Sequence, residues 1–167
     1  MRKEIYEMLC EQLSKLYAKP DGLHGVVEPG TEVPEGWERA IKFIDLWNHN
    51  VEFIEQEEQW ERPAVFVEFQ PIKWRQVKTG HSVDYTSRCH ISLHVVTDWH
   101  GSSSSESACR DESLSYLDLL EVIHASLRGL GGETFGGLDL VESQTNHNHE
   151  DLLESIEIYE CVLNKRL

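Results

Sequence analysis

The clearest pattern along the chain is a strict alternation between Tyr85 and Trp99. Odd positions Cys89, Ile91, Leu93, Val95 and Trp99 are apolar, whereas even positions Arg88, His90, Ser92, His94 and Asp98 are polar. A period of two over this length predicts a long strand with one buried and one wet face. A different period opens the chain. Ile5, Met8, Leu9, Leu13 and Leu16 recur every three or four residues between Arg2 and Tyr17, which predicts an amphipathic helix that Pro20-Asp21-Gly22 terminates. Leu117, Leu120, Ile123, Leu127 and Leu130 repeat that spacing within Ser113 to Gly132, giving a second helix closed by Gly129, Gly131 and Gly132.

The segments between are shorter. Leu23 to Trp37 carries Pro29, Gly30, Pro34 and Gly36 without a period and reads as a loop. Ile41 to Trp47 is rich in β-branched and aromatic residues and predicts a short strand, with Asn48-His49-Asn50 as a turn. Val51 to Trp60 fits either a strand or a short helix. Trp60 to Phe69 reads as a strand, with Pro63 near its start where a missing amide donor is tolerated. The serine-rich stretch 101–107 is a linker. Leu138 to Thr145 and Leu153 to Leu163 form a hairpin about the polar turn Asn146 to Asp151. Strands beside strands, with one helix at the front and one between, predict a single α+β domain over 1–167. Its antiparallel sheet has four to five strands and carries both helices on one face.

Composition narrows the class. The 167 residues are 40% hydrophobic and 27% charged, which excludes wholesale disorder. No stretch reaches the ~20 apolar residues of a membrane span. Met1-Arg2-Lys3-Glu4-Ile5 lacks the apolar core of a signal peptide, so a soluble protein without export signal is expected. Thirty acids against 15 Lys and Arg leave a net charge of −15. Nucleic-acid binding draws most of its affinity from a basic stripe, and this chain has no basic run. Specific nucleic-acid binding and membrane binding are therefore not expected. Any local basic surface would centre on Lys73, Arg75 and Lys78.

Candidate chemistry changes little. Cys10, Cys89, Cys109 and Cys161 contain no CxxC pair and read as structural thiols of a reducing compartment. Nine histidines raise the question of a metal. His90 and His94 share a strand face, but at ~3.3 Å per residue they stand about 13 Å apart, too far for one zinc. Asp98 with His100, and His147 with His149, are closer pairs. All of these read as half-exposed polar positions, so alanine at His94 should cost little. Glu57-Glu58 and Glu150-Asp151 read as solvated charge. Glu68 and Lys73, five apart across Pro71, depart from the spacing that puts a nuclease pair on one strand face. No GxSxG, GxGxxG or GxxxxGK[ST] occurs. Trp47, Trp60, Trp74 and Trp99 lie beside strands and read as packing residues. No catalytic, cofactor-binding or metal-binding residue is assigned, no cofactor is expected, and the chain reads as a non-enzyme.

Three stretches carry a resemblance. Ile41 to Phe69, the alternating Arg88 to Gly101 and the helix Ser113 to Leu130, taken in this order of elements, resemble the tail-terminator and tail-completion proteins of long-tailed bacteriophages. The resemblance implies a structural virion protein. It would form a homo-oligomeric ring, usually hexameric, at the head-proximal end of the tail tube, stopping tube polymerisation and joining tail to head. The implied partners are further copies of the chain, the tail-tube protein and the head-completion or connector protein. The implied location is the bacterial cytoplasm during assembly and then the virion tail. An acidic ring wall suits this role because it repels the phosphates of passing DNA. Two other classes fit the residues alone: a metal-dependent enzyme using the histidine-bearing strand and the turn 146–150, and an acidic cytosolic adaptor.

Overall fold

The alternating segment is the spine of the molecule. The computed structural model describes residues 1–49, 60–79, 82–146 and 150–166. Helix α1 (Arg2–Ser14) leads into three short strands, β1 (Leu16–Ala18), β2 (His24–Val26) and β3 (Glu38–Arg39). Then come β4 (Phe43–Leu46), β5 (Ala64–Phe69), β6 (Arg75–Thr79) and the long β7 (Ser82–Asp98). Helix α2 (Arg110–Leu127), β8 (Asp139–Asn146) and β9 (Leu152–Arg166) complete the chain. The expected segment Val51 to Trp60 lies outside the described residues except for Trp60, which is buried.

The main sheet has six strands in the order β4-β5-β7-β9-β8, with β6 also paired to β7. This is larger than the expected four to five strands, and it is mixed: β4 runs parallel to β5 from Phe43↔Ala64 to Leu46↔Val67. The fold class remains α+β. The unexpected strand is β6. Its sequence, Arg-Gln-Val-Lys-Thr, has no apolar alternation to reveal it, and it exists by pairing with the start of β7, from Arg75↔Thr86 to Thr79↔Ser82. The region read as a loop over 23–37 also contributes to a second, three-stranded sheet, β2-β1-β3. Strands of two or three residues carry no readable period. What holds them is local. Lys19 N–H donates to the Leu23 carbonyl at 2.8 Å, and Gly25 lies so close to Trp37 that a Cβ there would meet the indole at 2.5 Å.

One face of the main sheet is the core. Cys89, Ile91, Leu93 and Val95 of β7 join Val65 and Val67 of β5 and Tyr159, Cys161 and Leu163 of β9. Against them pack Ile5, Leu9 and Leu13 of α1 and Leu119, Ile123 and Leu127 of α2. The second helix is rotated from its expected stripe: Leu117 is exposed, and Ser113 is buried, its hydroxyl donating to the Gly101 carbonyl at 3.2 Å. Leu130 falls beyond the helix, because Gly129 at φ 74° has already turned the chain. Cys89 and Cys161 sit directly opposite each other on the core face, and all four cysteines are free thiols. A hydrogen bond to Cys89 and burial push the Cys161 thiol well above its ordinary value, so it stays protonated. Cys109 is exposed, contrary to the expectation of buried thiols.

Glu4 ties α1 to the turn after α2. Its Oε1 accepts from the Glu133 N–H at 2.7 Å and the Thr134 N–H at 3.4 Å, and its other oxygen accepts from the Thr134 hydroxyl. The Thr134 hydroxyl bond is the largest cause holding the Glu4 carboxyl below its ordinary value of 4.5. A depressed folded-state value stabilises the fold above the unfolded value, and that contribution fades as pH falls through the folded one. Glu4→Gln should therefore lower Tm at pH 6, and the gap to the parent should close below about pH 4.5. A gap unchanged down to pH 3 would show that the carboxylate does not make this tie.

Candidate functional site on the open sheet face

Even-numbered positions of β7 and β9 point away from the helices, and on this face the polar residues are organised. Near β4 and β5 it is capped by an aromatic cluster of Trp60, Phe66, Val96 and Leu152, with Phe43 and Trp47 packed against it. Next to that cluster stands His94. Its Nδ1 lies 2.7 Å from Glu154 Oε1 and its Nε2 lies 3.3 Å from Glu68 Oε2. Trp47 stacks flat on the imidazole, with centroids 3.8 Å apart and planes at 5°. Asn146 Nδ2 donates to Glu154 Oε2 at 2.6 Å, and Gln70 Nε2 donates to Ser92 Oγ at 3.0 Å.

The expectation of a wet His94 is therefore corrected. The residue is 5% exposed and Glu154 is 2% exposed. The sequence hides this because both carboxylates come from other strands. Val96 pairs with Glu154 and Ser92 with Glu68, so each carboxylate sits one diagonal step from His94 across its ladder. Acids at even positions of β9 were the one available signal. Chemically, both ring nitrogens are already engaged with carboxylates, so the imidazole acts as a polar pin across β5, β7 and β9. It presents no outward lone pair to a metal. The histidine four residues back behaves as expected: the His90 side chain is 44% exposed and meets Glu160 at 3.2 Å, which Arg88 also pairs at 2.7 Å.

The other paired positions do not converge. Asp98 bonds Arg62 at 2.5 Å rather than meeting His100. His147 and His149 lie outside the described residues. Among the described residues, no group of three or more His, Cys, Asp or Glu is arranged to hold a metal. Lys73 does not reach Glu68's contacts; its carbonyl accepts the buried Ser87 hydroxyl at 2.7 Å. Of the tryptophans, Trp60 is buried, whereas Trp74 and Trp99 are exposed.

Away from the pin the face opens. Gln70, Lys73, Arg88, His90, Glu142 and Ile158 line a shallow groove of about 540 Å³. Val162 is 43% exposed beside it. Beyond Ser87 the sheet narrows to a three-stranded tongue formed by β6, the start of β7 and the end of β9. At the opposite side, β8 is the edge strand, exposed along most of its eight residues, with a bulge between Leu140 and Glu142. A second groove of about 360 Å³ runs between α2 and β8, lined among others by Tyr116, Leu117, Leu120, Glu121 and Leu140. Among the described residues, no helix is long and apolar enough to cross a membrane.

No protein-family model and no curated protein matches the chain. Among solved structures it is similar to a chain titled "Virion of native gene transfer agent (GTA) particle", with a TM-score of 0.41 and 9% sequence identity. That similarity covers 74% of this chain and 79% of the other.

Proposed function

We propose that the chain is a structural, non-catalytic virion component of the tail-terminator kind. Copies of it close into a ring, most naturally of six, at the head-proximal end of a tail tube, end its polymerisation and present a surface to the head connector. The observation that carries this reading is the incompletely covered main sheet. Arg88, Ile158 and Val162 stay at least partly accessible on its open face, and β8 leaves a long edge unpaired. Such a face and edge are normally satisfied by neighbouring subunits. The pin at His94 supports the same reading, since it spends the most reactive side chains of the face on rigidity. The charge of −15 suits a wall past which DNA slides without adhering.

The test is genetic. In the phage or prophage that encodes the chain, disrupting the gene should give tails of abnormal length, or tails and full heads that fail to join, seen by electron microscopy. Normal virions and full infectivity without the protein would overturn the proposal.

A further inference from the structure

Among the described residues only two acids are buried, and the fold treats them differently. Glu154, on the open face, meets His94 and Asn146. Glu157, on the helix face of β9, is 5% exposed and, among the described residues, pairs with no base. It stands between Leu93 of β7 and Ser143 of β8, and one of its oxygens accepts from the Ser143 hydroxyl. No hydrogen bond among the described residues reaches the other oxygen, and no lysine or arginine lines the space beside it. His124 lines that space too, but it stands edge-on to the Tyr159 ring, with centroids 6.4 Å apart. The Tyr159 hydroxyl is itself buried without a partner. Burial, and after it the Glu157 charge, push that hydroxyl above its ordinary value. A carboxylate taken out of water is costly unless a cation or several donors meet it. Glu157 has one donor.

The space beside Glu157 is the groove of about 360 Å³ between α2 and β8. Tyr116, Leu117, Leu120 and Leu140 give it apolar and aromatic walls, and exposed Glu121 adds an acid at the α2 rim. Such walls suit an organic cation with an apolar stem. Arginine combines these parts, since its guanidinium grips a carboxylate through paired N–H groups and lies flat on aromatic rings. The strand that forms one wall, β8, is also the edge of the main sheet. An extended segment added there would lie two strand spacings, about 10 Å, from β9, within the combined reach of an arginine and a glutamate side chain. We propose that an extended, arginine-bearing segment of another protein adds to the edge of β8 and places its guanidinium on Glu157. Backbone pairing supplies affinity, and the buried carboxylate selects the side chain. A second copy of this chain is a poor occupant, because two molecules at −15 repel whereas a basic segment is attracted. The inference rests on the ring reading only in treating the β8 edge as an assembly surface, and copies can still meet through the open face.

The probe is a fluorescein-labelled heptapeptide of alternating threonine and valine with arginine at its centre, titrated with the full chain and read by polarisation. It should bind, and Glu157→Gln should weaken it about tenfold or more. Citrulline in place of the arginine keeps the shape and removes the charge. It should cost the parent as much, and the Glu157→Gln variant almost nothing further. Prolines flanking the arginine remove main-chain donors and should also weaken binding. Free agmatine should bind far more weakly than the peptide. Glutamine keeps the volume of glutamate and an oxygen for Ser143, and unaltered circular dichroism and Tm establish that the variant folds. Should it not fold, the citrulline comparison on the parent decides alone. No binding at about 1 mM arginine peptide, equal binding of the citrulline peptide, or agmatine binding as tightly as the peptide would overturn the proposal. So would self-association of the parent that Glu157→Gln abolishes, since a second copy would then be the occupant. These outcomes are separable from the ring reading. Normal virions after gene disruption remove the ring and leave peptide binding standing, whereas abnormal tails without peptide binding remove only this contact.

Discussion

Changing His94 to alanine is expected to destabilise the fold by roughly 3 kcal/mol, the order of cost of leaving a buried carboxylate without one of its hydrogen-bond partners. Glu154, 2% exposed, would be left facing a void where the imidazole stood, and the Trp47 ring would lose its stacked partner. Denaturant unfolding of the parent and the variant measures this directly. A second variant separates the unpaired polar group from the lost packing. His94→Leu/Glu154→Leu removes both polar partners and keeps apolar volume, so it should be less destabilised than His94→Ala. A loss below about 1 kcal/mol for His94→Ala would mean that the position is solvated and the pin unimportant.

Leu93→Ala, one residue away on the opposite face, is expected to cost about 2–5 kcal/mol for a different reason. Leu93 is 0% exposed and packs in the main core, so truncation leaves a cavity that the sheet cannot collapse around. Val162→Ala is the contrast. That side chain is 43% exposed on the open face, and its loss should change monomer stability by no more than ~0.5 kcal/mol. Comparable losses at Leu93 and Val162 would mean that the two faces have been assigned wrongly.

These two neighbours show what the sequence discloses and what it conceals. Leu93 was legible because a period of two marks a half-buried strand without reference to any other segment. His94 was not, since alternation says only that a residue faces away from the core. Whether that other face is wet depends on what lies opposite, here Trp47, Glu68 and Glu154 from three separate strands or turns. The same limit hid β6, whose five residues gain strand geometry from β7 rather than from their own pattern. The small sheet β2-β1-β3 was concealed by length, its strands being too short to establish a period. Both long helices were legible, though the buried stripe of α2 is turned enough to free Leu117. The basic end of the main sheet needed both kinds of information. The sequence supplies Lys73, Arg75 and Lys78, and only the pairing of β9 with β7 brings Lys165 alongside them.

The long β7–β9 ladder also has a kinetic consequence. Its pairs run from Asp98 with Leu152 to Asp84 with Arg166, so every one joins segments separated by α2 and β8. Contacts of such sequence separation must close a large loop before any energy is returned, which places folding on the millisecond-to-second scale of β-rich topologies. During synthesis at about 5–20 residues per second, β7 waits several seconds for β9 to emerge. Throughout that interval its seventeen residues expose an open backbone edge and an apolar row. Nascent chains at high expression are thus most vulnerable to strand-to-strand aggregation through this one element, and slowing translation after Asp98 should worsen it.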